Sequence, residues 1–353
     1  TNARERHTVN TGFAIAAHVP DVLADDIDRG RVIANLAGTH AVLSQDERAR
    51  IRGFLINKFR GDAGLFDRGI ATITQMTGWP SLGVVPWLPQ AAWLPAEDAL
   101  DLDRGGEASP ATRVIAVPML SRIANFDDLD PLGMEPGVQL VFVRPGQPIP
   151  VTAAVIILPG TKSTLGDLAF LRAQGWDIDI AAHVRRGGHV FGLCGGYQML
   201  GHIVADPDGI DGRAGTAEGL GLLDTTTTMR GDKSTTLVHG IHCGTDTPVE
   251  GYEIHLGRTE GGDCARPVLM LDGRPDGASS RDGRVQGTYV HGLFTGDTFR
   301  RAWLKNLGVA SSLAYETRVE SALDALADHL EAHLDIDQLL TIARSRQSSN
   351  SAA

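Results

Sequence analysis

The stretch that most restricts what this 353-residue chain can fold into is Gly192-Leu193-Cys194-Gly195-Gly196-Tyr197-Gln198, preceded by the apolar pair Val190-Phe191. An apolar run that stops at a cysteine among glycines predicts a buried strand, a tight turn and the first residues of a helix. The glycines let the backbone turn without Cβ clashes, and a helix N-terminus lowers a thiol pKa and attracts an anion. Cys194 is therefore a candidate exposed nucleophile. The competing reading is a buried structural cysteine, for which the flanking glycines leave little side-chain packing.

The same alternation of strand and helix recurs along the chain. Strands are expected over 21–28, 53–57 and 81–86, with helices over 31–43 and around 70–76, at the spacing of a parallel α/β sheet. Residues 96–111, in the polar, acidic and turn-rich stretch around DALDLDRGGEASP, form the candidate linker. A second α/β unit starts at Thr112, with strands expected near 114–117, 138–143, 154–158 and 190–193 and helices near 164–174 and 177–186. Residues 204–220 and 257–284 read as loops or edge hairpins. Val319, Leu323, Leu326, Leu330 and Leu334 repeat every three to four residues, as on one face of an amphipathic helix that packs on a sheet. The predicted domains are 1–95 and 112–345, with a disordered tail at 346–353.

Composition excludes several classes. A formal net charge of −11 and no basic cluster argue against nucleic acid as a partner. No apolar run approaches the roughly 20 residues of a membrane span, and the N-terminus has no signal-peptide pattern. Three cysteines without CxxC spacing form neither a disulfide framework nor a structural metal site, which points to a reducing, cytoplasmic setting. A homo-oligomer stays open.

A thiolate that attacks an amide needs an acid/base partner and donors for the oxyanion. His291 closes the strand-like run Val285–Val290 and is the candidate partner, against the reading of a satisfied core or surface histidine. Leu158-Pro159-Gly160-Thr161 ends the preceding strand, where glycine lets backbone N–H groups approach a carbonyl. Gly160, Thr161, Gly195 and Gln198 are the candidate oxyanion and glutamine-binding residues.

With these residues in place, the chain resembles the cobyric acid synthase family. CGGYQMLG at 194–201, LPGTKSTLGDLAFLR at 158–172, GYEIHLGRT at 251–259 and GTYVHGLF at 287–294 are similar to its glutamine amidotransferase domain. DIDRG at 26–30, GFLINKFRGD at 53–62 and GVVPWLP at 83–89 are similar to its synthetase domain. The resemblance implies a partial dethiobiotin-synthetase-like, P-loop-type α/β domain followed by a class I, triad-type amidotransferase α/β domain. It implies glutamine- and ATP-dependent amidation of the b, d, e and g carboxylates of adenosylcobyrinic acid a,c-diamide. Cys194 becomes the glutaminase nucleophile and His291 its partner. Position 293 is Leu, where many triad relatives carry Glu, so a Cys–His pair is the expected machinery.

By the same resemblance Asp26 and Asp28 are candidate magnesium-proximal carboxylates and Asn57 a nucleotide contact. Tyr252, Glu253, His255 and Arg258 are candidates to hold the corrinoid or to position the glutaminase loop. No Gly-rich phosphate loop ending in Lys-Ser/Thr occurs in the chain, so ATP and Mg2+, needed for the full reaction, are expected to bind poorly to it. The expectation is a synthetase domain lacking its N-terminal part, with TNARERHTVNTG at 1–12 in place of the family's downstream motif. Two other readings remain: a degenerate corrinoid- or partner-binding relative, and an amidotransferase serving an enzyme that amidates cell-wall precursors.

Overall fold

The structure is a computed structural model that describes Ala14, Ala17 and residues 19–95, 112–231 and 235–345. The expected linker at 96–111, the tail at 346–353 and the 1–12 stretch lie outside the described residues. The chain divides into two compact units, Thr1–Leu94 with Val319–Ala353, and Pro95–Arg318.

In the first unit β1 (Asp21–Asp26), β2 (Ile51–Phe59) and β3 (Ser81–Pro86) form a parallel sheet with β2 in the centre. Helices α1 (Val32–Val42), α2 (Gln45–Arg50) and α3 (Asp67–Thr77) connect them. Ser44 and Glu47 form a capping box that starts α2. The core is Phe54, Ile56, Ile73 and Trp79 with Val32 and Leu36, the apolar positions of the strands and crossover helices.

The second unit is built on a six-stranded sheet. It contains β4 (Arg113–Pro118), β5 (Val138–Val143), β6 (Ala153–Leu158) and β7 (His189–Leu193), all parallel. The short helix α4 (Asp130–Gly133) lies between β4 and β5, while α5 (Thr164–Ala173) and α6 (Trp176–Arg185) cross from β6 to β7. Helix α7 (Gly195–Leu200) follows β7 directly. Beyond it, β8 (Ile203–Asp206), β9 (Gly215–Glu218), β10 (Thr226–Thr228) and β13 (Arg258–Glu260) make a four-stranded sheet.

A five-stranded antiparallel sheet holds β11 (Thr236–His242), β12 (Thr247–Glu253), β14 (Leu269–Leu271), β15 (Arg274–Asp276) and β18 (Val290–His291). β16 (Ala278–Ser279) and β17 (Val285–Thr288) return the chain to the main sheet, whose order is β16-β17-β7-β6-β4-β5. Val155, Ile156, Ile157, Val190 and Phe191 are buried on both faces of it, as parallel central strands require. Helix α8 (Asp297–Asn306) packs Phe299, Trp303 and Leu304 into this core.

The C-terminal helices α9 (Tyr315–His333) and α10 (Ile336–Arg344) differ from the sequence expectation, which kept everything to residue 345 with the second unit. From Val319 onward they group with the first. The Asp335 N–H donates to the Leu82 carbonyl at 2.8 Å, His329 Nε2 donates to the Pro86 carbonyl at 2.9 Å, and Leu334 forms a β-bridge with Gly83. An apolar period defines the face a helix buries and says nothing about which sheet receives it. Among the described residues no helix is long and apolar enough to cross a membrane.

Candidate active site

Cys194 occupies the turn between β7 and α7 with φ 50° and ψ −109°, outside the regions open to most L-residues. The close approach on both sides explains the glycines: a Cβ on Gly196 would meet the Leu158 carbonyl oxygen at 2.1 Å. The Cys194 N–H donates to the Thr288 carbonyl at 2.9 Å, tying the elbow to β17. Gly195 is the first residue of α7, where N–H groups have no acceptor within the helix. The Cys194 thiol lies 3.7 Å from the Ile254 carbonyl oxygen.

His291 ends β18 and is 1% exposed. β18 pairs with β12 so that His291 stands opposite Tyr252, and the two rings stack 5.3 Å apart at 23°. The imidazole Nδ1–H donates to Asp128 Oδ2 at 2.6 Å, and the other oxygen of Asp128 accepts the Gly292 N–H at 2.7 Å. Burial acts to lower the His291 pKa, but hydrogen bonds to Asp128 and to the Cys194 side chain, with the charges of both, outweigh it and push the value up to about 10. Asn125 Nδ2 adds contacts of 3.0 and 3.1 Å to the two ring nitrogens.

Asp128 was not among the residues singled out from sequence, which pointed to a Cys–His pair. It lies on a 3-10 turn (Phe126–Leu129) after β4 and is 3% exposed. The acidic stretch Asp127-Asp128-Leu129-Asp130 after an apolar strand was the available signal. Three carboxylates in four residues do not reveal which one turns inward.

Gly160 lies between the Cys194 and His291 side chains. A Cβ there would be 3.1 Å from His291 Cε1 and 3.7 Å from Cys194 Cβ. Its turn is anchored by the buried Asp167, which accepts from the Ser121 N–H at 2.9 Å, the Arg122 N–H at 3.1 Å and the Thr161 hydroxyl. Thr161 thus spends its hydroxyl on the turn and packs its methyl against Gly195.

The other candidates separate. Gln198 accepts from the Thr164 hydroxyl at 2.9 Å and donates to the Leu256 carbonyl at 2.8 Å, tying α7 to α5 and to the segment after β12. Glu253 ion-pairs with Arg274, and its Oε1 has no hydrogen-bond partner among the described residues. His255 stacks on Tyr289 at 3.7 Å, and burial lowers its pKa. Arg258 pairs with Glu260 at 2.6 Å on the exposed surface and is not gathered with the others.

In the first unit Asp26 and Asn57 are register partners at the ends of β1 and β2. Asp26 pairs with Lys58 at 2.9 Å and Asp28 binds Arg60 through both oxygens at 2.9 and 3.0 Å. Carboxylates are the donors Mg2+ takes, but both of these are occupied by cations. Among the described residues no group of three or more His, Cys, Asp or Glu could hold a metal ion. This arrangement does not fit a magnesium site, and no chemical step below runs through one.

Fold and sequence together define a glutamine amidotransferase joined to a nucleotide-binding domain. Residues 114–299 match the family model described as a CobB/CobQ-like glutamine amidotransferase domain, and residues 3–101 match a CobQ/CobB/MinD/ParA nucleotide binding domain. The chain is 60% identical over 344 residues to a cobyric acid synthase of Cereibacter sphaeroides, covering 97% of this chain and 71% of that one. It is 61% identical over 346 residues to a cobyric acid synthase of Rhodobacter capsulatus, again covering 97% and 71%. A Bradyrhizobium diazoefficiens cobyric acid synthase is 58% identical over 344 residues, at the same coverage. The chain belongs to the cobyric acid synthase family.

Proposed function

We propose that Cys194, His291 and Asp128 perform the glutaminase step of a glutamine-hydrolysing amide ligase in cobalamin biosynthesis. Cys194 Sγ attacks the side-chain amide carbon of glutamine with its proton already held on His291, whose ring stays protonated near pH 7. Asp128 holds the ring in one tautomer and stabilises the imidazolium that forms. The oxyanion is received by the Gly195 N–H and by the backbone of the Gly160 turn. His291 then protonates the departing ammonia, and water releases glutamate from the thioester. The observation that carries this reading is the buried His291–Asp128 pair, 2.6 Å between heavy atoms, beside Cys194.

Ammonia is a nucleophile only while it is kept from water and protonation. In this reading it attacks an acyl phosphate formed with ATP on the b, d, e and g carboxylates of adenosylcobyrinic acid a,c-diamide. The second unit is assigned the glutaminase and the first the nucleotide chemistry, with the cytoplasm as the compartment. Because the sequence contains no Gly-rich phosphate loop, calorimetric titration of this chain alone is expected to register weak ATP binding.

A glutamine-analogue electrophile tests the glutaminase assignment. Peptide mapping should find the label on Cys194, and Cys194→Ala should abolish both the label and glutamine hydrolysis. Label that instead resides on Cys243 or Cys264, the other free cysteines, would sink it.

A further inference from the structure

β12 and β18 meet over two residue pairs, Tyr252 with His291 and Glu253 with Val290. Directly opposed residues of an antiparallel pair project to the same face of the sheet, with Cβ atoms roughly 4.5–5.5 Å apart. The pairing therefore delivers the Tyr252 ring to the imidazole, and the two stack 5.3 Å apart at 23°. Gly251 lets the strands close here, since a Cβ on it would meet the His291 carbonyl oxygen at 2.3 Å.

His291 is 1% exposed, so water does little to solvate a charge on its ring. Asp128 and Asn125, from the stretch after β4, and Cys194, from the elbow after β7, face that ring. Asp127 and His255 act on it from farther off through their charges, and burial holds His255 toward its neutral form. Asp128 and Cys194 are hydrogen-bond partners and so meet the imidazole at its edge. Tyr252 is stacked on its face. The face of an aromatic ring carries negative charge density and attracts a cation within about 6 Å of its centroid, more strongly where water is excluded. Burial, then the charges of Asp128, Asp127 and Cys194, raise the Tyr252 pKa. The phenol is therefore neutral near pH 7 and offers its ring rather than a charge.

We propose that Tyr252 is a positioning residue of the glutaminase site, whose ring face holds His291 as the cation beside Cys194. The inference rests on the glutaminase reading above and adds to it a group that acts through His291. It also separates two ionisations. Cys194 loses its proton with the imidazole protonated before and after, so an aromatic ring stacked on that imidazole changes the step little. Loss of the His291 proton removes the cation itself, and the stack opposes it.

Nitrogen-15 histidine spectra of the full chain, with the His291 signal assigned by its loss in His291→Gln, follow the second step. The pH dependence of iodoacetamide alkylation at Cys194 follows the first. Tyr252→Leu should lower the His291 midpoint by about one pH unit, a tenfold change in its acidity, because the cation loses a desolvated aromatic contact. Tyr252→Phe keeps the ring face and should leave the midpoint in place, and the acid limb of alkylation should stay put in both variants. Tyr252→pentafluorophenylalanine keeps the shape of Phe and inverts the ring quadrupole, so it should lower the midpoint even where Leu loosens the strand pair. The proposal is overturned by an unmoved midpoint in Tyr252→Leu, by an equal fall in Tyr252→Phe, or by a fluorinated ring that behaves as Phe does. An acid limb that moves as far as the midpoint would mark a general loosening of the site and overturn it too. The spectra need no turnover, so a Cys194 that takes no glutamine-analogue label would sink the glutaminase reading while this comparison still decides the role of Tyr252.

Discussion

Asp128 Oδ2 is 2.6 Å from Nδ1 of His291, across 163 positions of sequence. Asp128→Asn keeps the size and the contact but replaces a charge with an amide, which holds the ring less well in the tautomer that accepts a proton at Nε2. Glutamine hydrolysis should fall roughly 10² to 10⁴-fold, the scale of general acid–base catalysis. Steady-state assays of ammonia release check this. A loss under threefold would remove Asp128 from the machinery.

The pH dependence of stability follows from His291. Its pKa is pushed up to about 10 in the folded chain, against the unfolded value of about 6.5. The protonated ring therefore stabilises the fold fully below about pH 6.5, and that contribution is lost as pH rises through about 10. Thermal melts of the unmodified chain and of His291→Gln should differ most at low pH and converge toward the alkaline end. A gap of constant size across that window would contradict the assignment.

Gly160→Ala puts a methyl group 3.1 Å from His291 Cε1 and 3.7 Å from Cys194 Cβ. The His291 ring must give by a few tenths of an ångström, and displacement of that order should reduce turnover about tenfold or more while the fold survives. Gly196→Ala, which meets the Leu158 carbonyl at 2.1 Å, should instead depress folding yield. Circular dichroism beside the hydrolysis assay separates the two.

Arg300 stabilises the segment that follows His291. It is fully buried, donates to Glu135 at 2.7 Å and Asp297 at 2.7 Å, and reaches the carbonyls of Phe294, Thr295 and Leu313. Arg300→Met leaves Glu135 as an unpaired buried charge, so denaturant unfolding should register a loss of about 3–5 kcal/mol. Cys194 labelling per folded molecule should persist at low temperature.

Elements whose signal is local were legible in the sequence. The strands near 154–158 and 190–193 emerge almost at their expected bounds because central parallel strands buried on both faces are continuous apolar runs. The glycines around Cys194 announced the elbow because close backbone approach constrains residue type at the position itself. The stretches 204–220 and 257–284, expected as loops or edge hairpins, contain β8, β9 and β13–β16, with β8–β9 and β14–β15 as antiparallel pairs at sheet edges, but strands of two to four residues carry too few side chains for a period. Gln198 was legible as a residue of the elbow but not as a strut, since its partners at Thr164 and Leu256 come from other elements. Asp128 was hidden for the same reason, and so was the sheet that receives α9.

The order of the main sheet sets the moment at which this chemistry begins. Asp128 is made first, Cys194 next and His291 after both, while the backbone of Cys194 is fixed by Thr288 of β17, the last parallel strand to join. A chain still emerging from the ribosome presents the thiol without its acid/base partner and without the bond that shapes its turn. In the proposed glutaminase, hydrolysis waits on these distant contacts, which are slow to form because of their sequence separation. On the proposed chemistry, a chain that ends before His291 hydrolyses no glutamine.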